Sequence, residues 1–152
     1  MNLTATPDVV SFSPKLIVYV EKVGPFMKTA RAAWEEVLAQ MPNVENQVQV
    51  LGTMAIFQMK PELIYRAAIV VDAKPETLPA GTQFMEFAGG KYSKFTLRGS
   101  YMQLPSAWGS TMANVEKLKI QTADHFYVEN YANSPKVTAE EDLITELMIP
   151  TK

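Results

Sequence analysis

Apolar and polar positions along this chain run in strand-like bursts, change to a helical spacing, return to bursts, and then repeat the change. Residues 15–21, KLIVYVE, have the β-branched and aromatic density of a strand. From Pro25, the segment PFMKTARAAWEEVLAQM sets Met27, Ala30, Trp34, Val37, Leu38 and Met41 at helical intervals, and the proline suits a first helical position. After the loop PNVENQ, the runs VLGTMAIFQ and LIYRAAIVVD read as two strands joined through MKPE as a hairpin. The predicted order is β-α-β-β.

The stretch DAKPETLPAGTQ, with Pro75, Pro79 and Gly81, reads as a connecting loop that leads to a short strand at Phe84 to Phe87. The pattern then restarts. KYSKFTL (91–97) predicts a strand, and YMQLPSAWGSTMANVEK a helix weakened by Pro105 and Gly109. HFYVENY predicts a strand, and EEDLITELMIP a last strand ended by Pro150. VGPFM at 23–27 precedes RGSYM at 98–102 by 75 positions, and AAW ending at Trp34 precedes SAW ending at Trp108 by 74. A repeated element order with matched landmarks points to a tandem duplication. The expected fold is therefore α+β: one domain over 1–152 made of two β-α-β-β modules related by a pseudo-two-fold axis, with antiparallel sheets forming a central ligand groove. The first half is expected over about 15–72, the linker over about 73–83 and the second half over about 84–150.

Composition narrows the chemistry. The 152 residues suit a single core, and 47% hydrophobic with 20% charged residues describes a globular protein. A net charge of −2 gives no positive field to draw nucleic acid. There is no cysteine, which removes disulfides, thiolate metal sites and a cysteine nucleophile, and a single histidine excludes a multi-histidine metal site. No metal or cofactor is expected. Neither a signal-like N-terminus nor an apolar run of membrane-spanning length is present, so a cytoplasmic protein without a membrane partner is expected. A homodimer is left open.

The chemistry of interest lies in HFYVENYANSP, residues 125–135. Strand alternation puts His125, Tyr127, Glu129 and Tyr131 on one face and Phe126, Val128 and Asn130 on the other, so a carboxylate lies between two tyrosines. At the offset of 74, Ala55 occupies the place of Glu129 and Phe57 that of Tyr131, so only the second half carries the acid. Two readings stand: a glutamate on a solvated strand face, or a buried acceptor. A carboxylate among aromatic rings attracts lipophilic cations, with cation–π contacts adding about 0.5 to 2 kcal/mol each. Desolvation of the same group would prepare it as a general acid or base.

The segments ELIYRAAIVVD, LPAGTQFMEFAGGKYSKFTLRGSY and FYVENYANSP…EEDLITELMIP resemble the GyrI-like small-molecule-binding family, also called the bacterial transcription activator effector-binding domain. The likeness covers nearly the whole chain. It is carried by GGKY, by RGSY, and by the pattern glutamate-x-tyrosine-x-asparagine-x-proline, supplied here by Glu129, Tyr131, Asn133 and Pro135. The resemblance implies two β-α-β-β modules about a central groove and, from multidrug-sensing members, a cation-meeting role for Glu129. Many members are halves of DNA-binding regulators. With about fourteen residues before the first predicted strand, a helix-turn-helix has no room, so a stand-alone binder for multidrug or xenobiotic sensing or sequestration is expected, without direct DNA contact.

The expected partner is a hydrophobic, cationic or planar aromatic small molecule, with Glu129, Tyr127, Tyr131, Trp108, Tyr101, Tyr92, Phe26 and Trp34 as candidate ligand-binding residues. Trp34 and Trp108 sit at matched helical positions where core packing competes with a ligand role; distortion at Pro105 and Gly109 would expose Trp108. The nine methionines suit either an adaptable surface or the core. His125, near a strand start, reads as a surface or turn residue rather than a haem ligand. The family resemblance also implies two alternatives. One is a hydrolase of strained cyclopropane-type natural products, with Glu129 as its catalytic group. The other is a gyrase-interacting protein, although WEEV and TAEEDL read more simply as solvated faces.

Overall fold

The β-α-β-β order is present twice in the computed structural model, which describes residues Met1 to Lys152. In chain order the strands and helices are β1 (Asn2–Leu3), β2 (Asp8–Phe12), β3 (Lys15–Val23), α1 (Phe26–Ala39), α2 (Met41–Glu45), β4 (Val50–Gln58), β5 (Ile64–Val71), β6 (Gln83–Phe87), β7 (Gly90–Arg98), α3 (Leu104–Lys117), β8 (Tyr127–Tyr131) and β9 (Ile144–Pro150). Single 3-10 turns cover Tyr101–Gln103 and Glu140–Asp142. The elements form two compact units, Ser13–Gly89 and Met1–Phe12 with Gly90–Lys152. The architecture is α+β, mostly antiparallel sheet with few helices.

In the unit Ser13–Gly89 the strands run β4-β5-β3-β6, all antiparallel, with Phe57 opposite Tyr65 and Val20 opposite Ala67. Helix α1 lies on β3 and β5 and buries Thr29, Ala33 and Val37, one stripe at four-residue spacing. The single helix predicted through Met41 stops at Ala39 and restarts as α2, whose first turn holds Pro42. A proline has no N–H to continue an existing helix but is tolerated in a first turn. The short strand β6 pairs with β3, so it completes this unit instead of opening the second half as the sequence reading has it.

In the other unit β7 is central. It pairs with β1 and β2 along one edge and with β9 along the other, and β9 pairs with β8. The residues before the first predicted strand thus contain two strands whose partners lie far along the chain. Phe95, Leu97, Leu147 and Ile149 from the sheet meet Ala107 and Val115 from α3 to form the core, with Trp108, Met112 and Tyr127 packed at its margin. Helix α3 is continuous through Gly109, and Pro105 falls in its first turn, where it removes no helical hydrogen bond. The predicted weakening of this helix does not occur. The last strand starts at Ile144, because Glu140–Asp142 form a 3-10 turn before it.

The helical segments that begin at Phe26 and Tyr101 are each entered through a glycine in a conformation that side chains rarely adopt: Gly24 has φ +127° and Gly99 φ +135°. This gives the matched glycines of VGPFM and RGSYM a physical meaning, since both allow a sharp exit from a strand.

Candidate functional site

Strand β8 pairs with β9 so that Glu129 lies opposite Leu147 and Tyr131 opposite Thr145. Strand β7 in turn sets Phe95 opposite Leu147. These positions share one sheet face, the face covered by α3. Asn133 fixes the register: its Oδ1 accepts from the Ile144 N–H at 2.9 Å and its Nδ2 donates to the Asp142 carbonyl at 3.0 Å. The asparagine of the glutamate-x-tyrosine-x-asparagine-x-proline pattern therefore locks the β8–β9 connection rather than meeting the carboxylate.

Glu129 is buried, 7% exposed, which decides between the two sequence readings in favour of the buried acceptor. The Trp108 indole Nε1–H donates to Oε2 at 2.6 Å, and the Tyr131 hydroxyl donates to Oε1. Tyr101 lies 5.3 Å from the Tyr131 ring and Tyr127 lies 6.3 Å from Trp108, centroid to centroid. No lysine, arginine or histidine forms an ion pair with this carboxylate. Burial pushes the Glu129 carboxyl above its ordinary value, and the hydrogen bonds from Tyr131 and Trp108 pull it partly back. Burial also raises the Tyr101 and Tyr127 phenols, with the Glu129 charge adding to the effect on Tyr101.

The structure brings Glu129, Tyr131, Tyr127, Trp108 and Tyr101 together in one cluster. Tyr92 does not join them. The register Lys94–Met148–Val128 puts Tyr92 on the opposite sheet face from Phe95, Leu147 and Glu129. There it is wholly buried, donating to the Phe126 carbonyl at 2.7 Å and packing on Phe12 and His125. Phe26 and Trp34 belong to the unit Ser13–Gly89, where Trp34 Nε1 donates to the Tyr65 hydroxyl at 2.8 Å. Phe26 lies 5.4 Å from Phe57 and 5.8 Å from Tyr65 in the same cluster.

Two residues escaped the sequence reading. Tyr65, the acceptor for Trp34, sits in a run that reads as plain core strand. Thr145, cross-strand from Tyr131, is fully buried with its hydroxyl unpaired, as is Thr111 on α3. Only the strand register could have signalled Thr145. Two open clefts occur elsewhere: one of about 830 Å³ among Gln40, Asn43, Gln47 and Leu78, the other of about 530 Å³ among Arg98, Ser100, Gln103 and Glu141. Neither is lined by Glu129, and neither combines a buried acid with aromatic rings, so the Glu129 cluster is the stronger candidate.

Fold and site together define a small α+β binding domain that sets a buried carboxylate among aromatic donors. The chain belongs to the family described as the GyrI-like small molecule binding domain, whose model matches residues 5–152. The resemblance read from its motifs therefore holds. The chain is similar to the EcmrR C-terminal domain (TM-score 0.75, 11% identity, 100% of this chain and 99% of that one). It is also similar to SAV2435, solved with bound tetraphenylphosphonium (TM-score 0.73, 14% identity, 96% and 93% covered). A hydrolase from Listeria innocua shares the fold (TM-score 0.56, 9% identity, 98% and 93% covered). In the EcmrR–DNA complex, the chain spans 58% of the EcmrR chain's length. No curated protein matches the sequence. No helix is long and apolar enough to cross a membrane.

Proposed function

We propose that this domain binds a hydrophobic organic cation, planar or aromatic in character, with Glu129 as its anionic anchor and Trp108, Tyr101, Tyr127 and Tyr131 as its aromatic walls. The observation that carries this reading is the buried carboxylate held by two neutral donors and matched by no protein cation. An unpaired buried charge is costly, and a ligand cation supplies the missing partner without requiring the protein to carry one. A diffuse, weakly hydrated charge such as a phosphonium gives up little hydration on entry and also gains from the ring faces. The tetraphenylphosphonium bound by SAV2435 is a ligand of this type, which makes it the natural first probe.

The test is titration of tryptophan fluorescence with tetraphenylphosphonium and a rhodamine dye, beside the neutral triphenylphosphine oxide. The expected result is cation binding that weakens at least about tenfold in Glu129→Gln, a change of about 1.4 kcal/mol. Cation affinity indifferent to that substitution would refute the anchor role.

The upward shift of the Glu129 carboxyl favours a second reading, in which the protonated acid serves hydrolysis of a strained aromatic natural product. Turnover lost in Glu129→Gln would support it, and stoichiometric binding without product would rule it out.

A further inference from the structure

We propose that a cation binds at Glu129 in exchange for a proton, and that Trp108 and Tyr131 set the pH at which the exchange takes place. The inference rests on the binding reading above and concerns how the same site is regulated. In the ligand-free protein the carboxyl is shut away from water and faces no positive charge. Its neutral form is therefore the one that burial favours. When an organic cation arrives, the acid loses its proton to solvent and the resulting carboxylate balances the ligand. The net charge of the site is zero before and after, and one proton appears in the buffer.

The two donors differ in what they permit. An indole N–H only donates, so Trp108 supports the carboxylate at 2.6 Å and can offer nothing to an acid proton. The Tyr131 hydroxyl both donates and accepts. It can turn to receive the proton of the neutral acid and turn back to donate to the anion. The site thus has a hydrogen-bonded arrangement for each protonation state, and only small rotations separate them.

No other group around the carboxyl competes for this role. On β9 the neighbours on the same face are Thr145 and Leu147; Glu146 faces the other side, held by Lys94 at 3.2 Å and Asn130 at 2.8 Å. From α3 come Trp108, Thr111 and Met112, while Glu116 and Lys117 are exposed at its end. The turn before the helix contributes Tyr101, and β8 contributes Tyr127 and Tyr131, all phenols. Burial raises Tyr101 and Tyr127 away from the neutral range. His125 packs on Tyr92 and Phe126.

The experiment is calorimetric titration of the full chain with tetraphenylphosphonium from about pH 5 to about pH 9, above the ordinary carboxyl value of 4.5, in buffers of different ionisation enthalpy. The expected result is release of up to one proton per ligand, with affinity rising up to tenfold per pH step at the acid end and levelling off above the midpoint. Trp108→Phe and Tyr131→Phe should each move the midpoint to higher pH, and His125→Asn should leave it in place. Triphenylphosphine oxide should bind without proton release in every variant, which also reports that each variant is folded. Glu129-dependent binding that releases no proton and is flat with pH would overturn the exchange while leaving the anchor intact. Cation binding unaffected by Glu129→Gln, or absent at every pH, would overturn the anchor and the exchange together.

Discussion

Trp34 and Trp108 occupy matching places on α1 and α3, yet their indoles serve different acceptors. Trp34 donates to the phenol of Tyr65, the residue directly across the strand pair from Phe57. Trp108 donates to Glu129, and the residue across from Tyr131 is Thr145. In the unit Ser13–Gly89 the sequence supplies alanine, phenylalanine and tyrosine at positions 55, 57 and 65, and the result is a neutral stack with Phe57 and Tyr65 rings nearly parallel at 12°. In the other unit the corresponding set is glutamate, tyrosine and threonine. The matched positions form a neutral aromatic stack where the indole's acceptor is a phenol, and a buried titratable site where that acceptor is a carboxyl beside a smaller residue.

Copying the acid into the neutral unit is the strongest way to break this comparison. Ala55 is fully buried on the sheet face of Phe57 and Tyr65, and Ala55→Glu there lacks a tyrosine at position 57 to donate to it. Urea denaturation should show a loss of about 3 to 5 kcal/mol, the cost of an uncompensated buried charge. Adding Phe57→Tyr should recover about 1 kcal/mol by restoring one donor. Gly99→Ala and Gly24→Ala should each cost about 1 to 3 kcal/mol through backbone strain at positive φ. The two costs should be similar, because the new Cβ at Gly99 would meet only the movable end of the Gln103 side chain, 2.9 Å from Oε1, and the one at Gly24 sits at ordinary contact distance, 3.6 Å from Thr29 Cγ2.

A pH comparison sharpens the contrast further. Glu129 has a folded value above its unfolded one, so its contribution to stability is fully present below the unfolded value and is lost as pH rises through the folded value. Glu129→Gln should therefore melt at higher temperature than wild type in alkaline buffer, with the gap closing as the buffer is acidified. The smallest effect is expected from Trp34→Phe, which removes one neutral hydrogen bond worth about 1 kcal/mol and leaves the pH profile of ligand binding unmoved.

The alternation of HFYVENY is a property of one strand, and it was enough to set Glu129 beside Tyr127 and Tyr131. Trp108 stands out in the sequence through its match to Trp34 and an expected distortion at Pro105 and Gly109; its indole does reach Glu129, but from an undistorted helix. Tyr92 went astray because alternation on β7 says nothing of how β7 is registered against β9, and a single-residue choice of register decides the face. β1 and β2 were illegible for a related reason: short runs gain strand character only from a partner, and theirs lies beyond residue 89. Pro105 and Gly109 were misread because a proline breaks a helix interior but fits a helix start, and the start moved to Leu104.

The pairing of β1 and β2 with β7 also orders the events of synthesis. The strands β3 to β6 find all their partners within Ser13–Gly89, so that stretch can complete its ladder as soon as it leaves the ribosome. Residues 1–12 must wait, with Val9 and its neighbours unpaired, until Gly90–Arg98 has been made. A segment translated well before its partner strand is thus among the last to be hydrogen-bonded. Nascent chains halted before residue 90 should expose it to proteases that the finished protein resists.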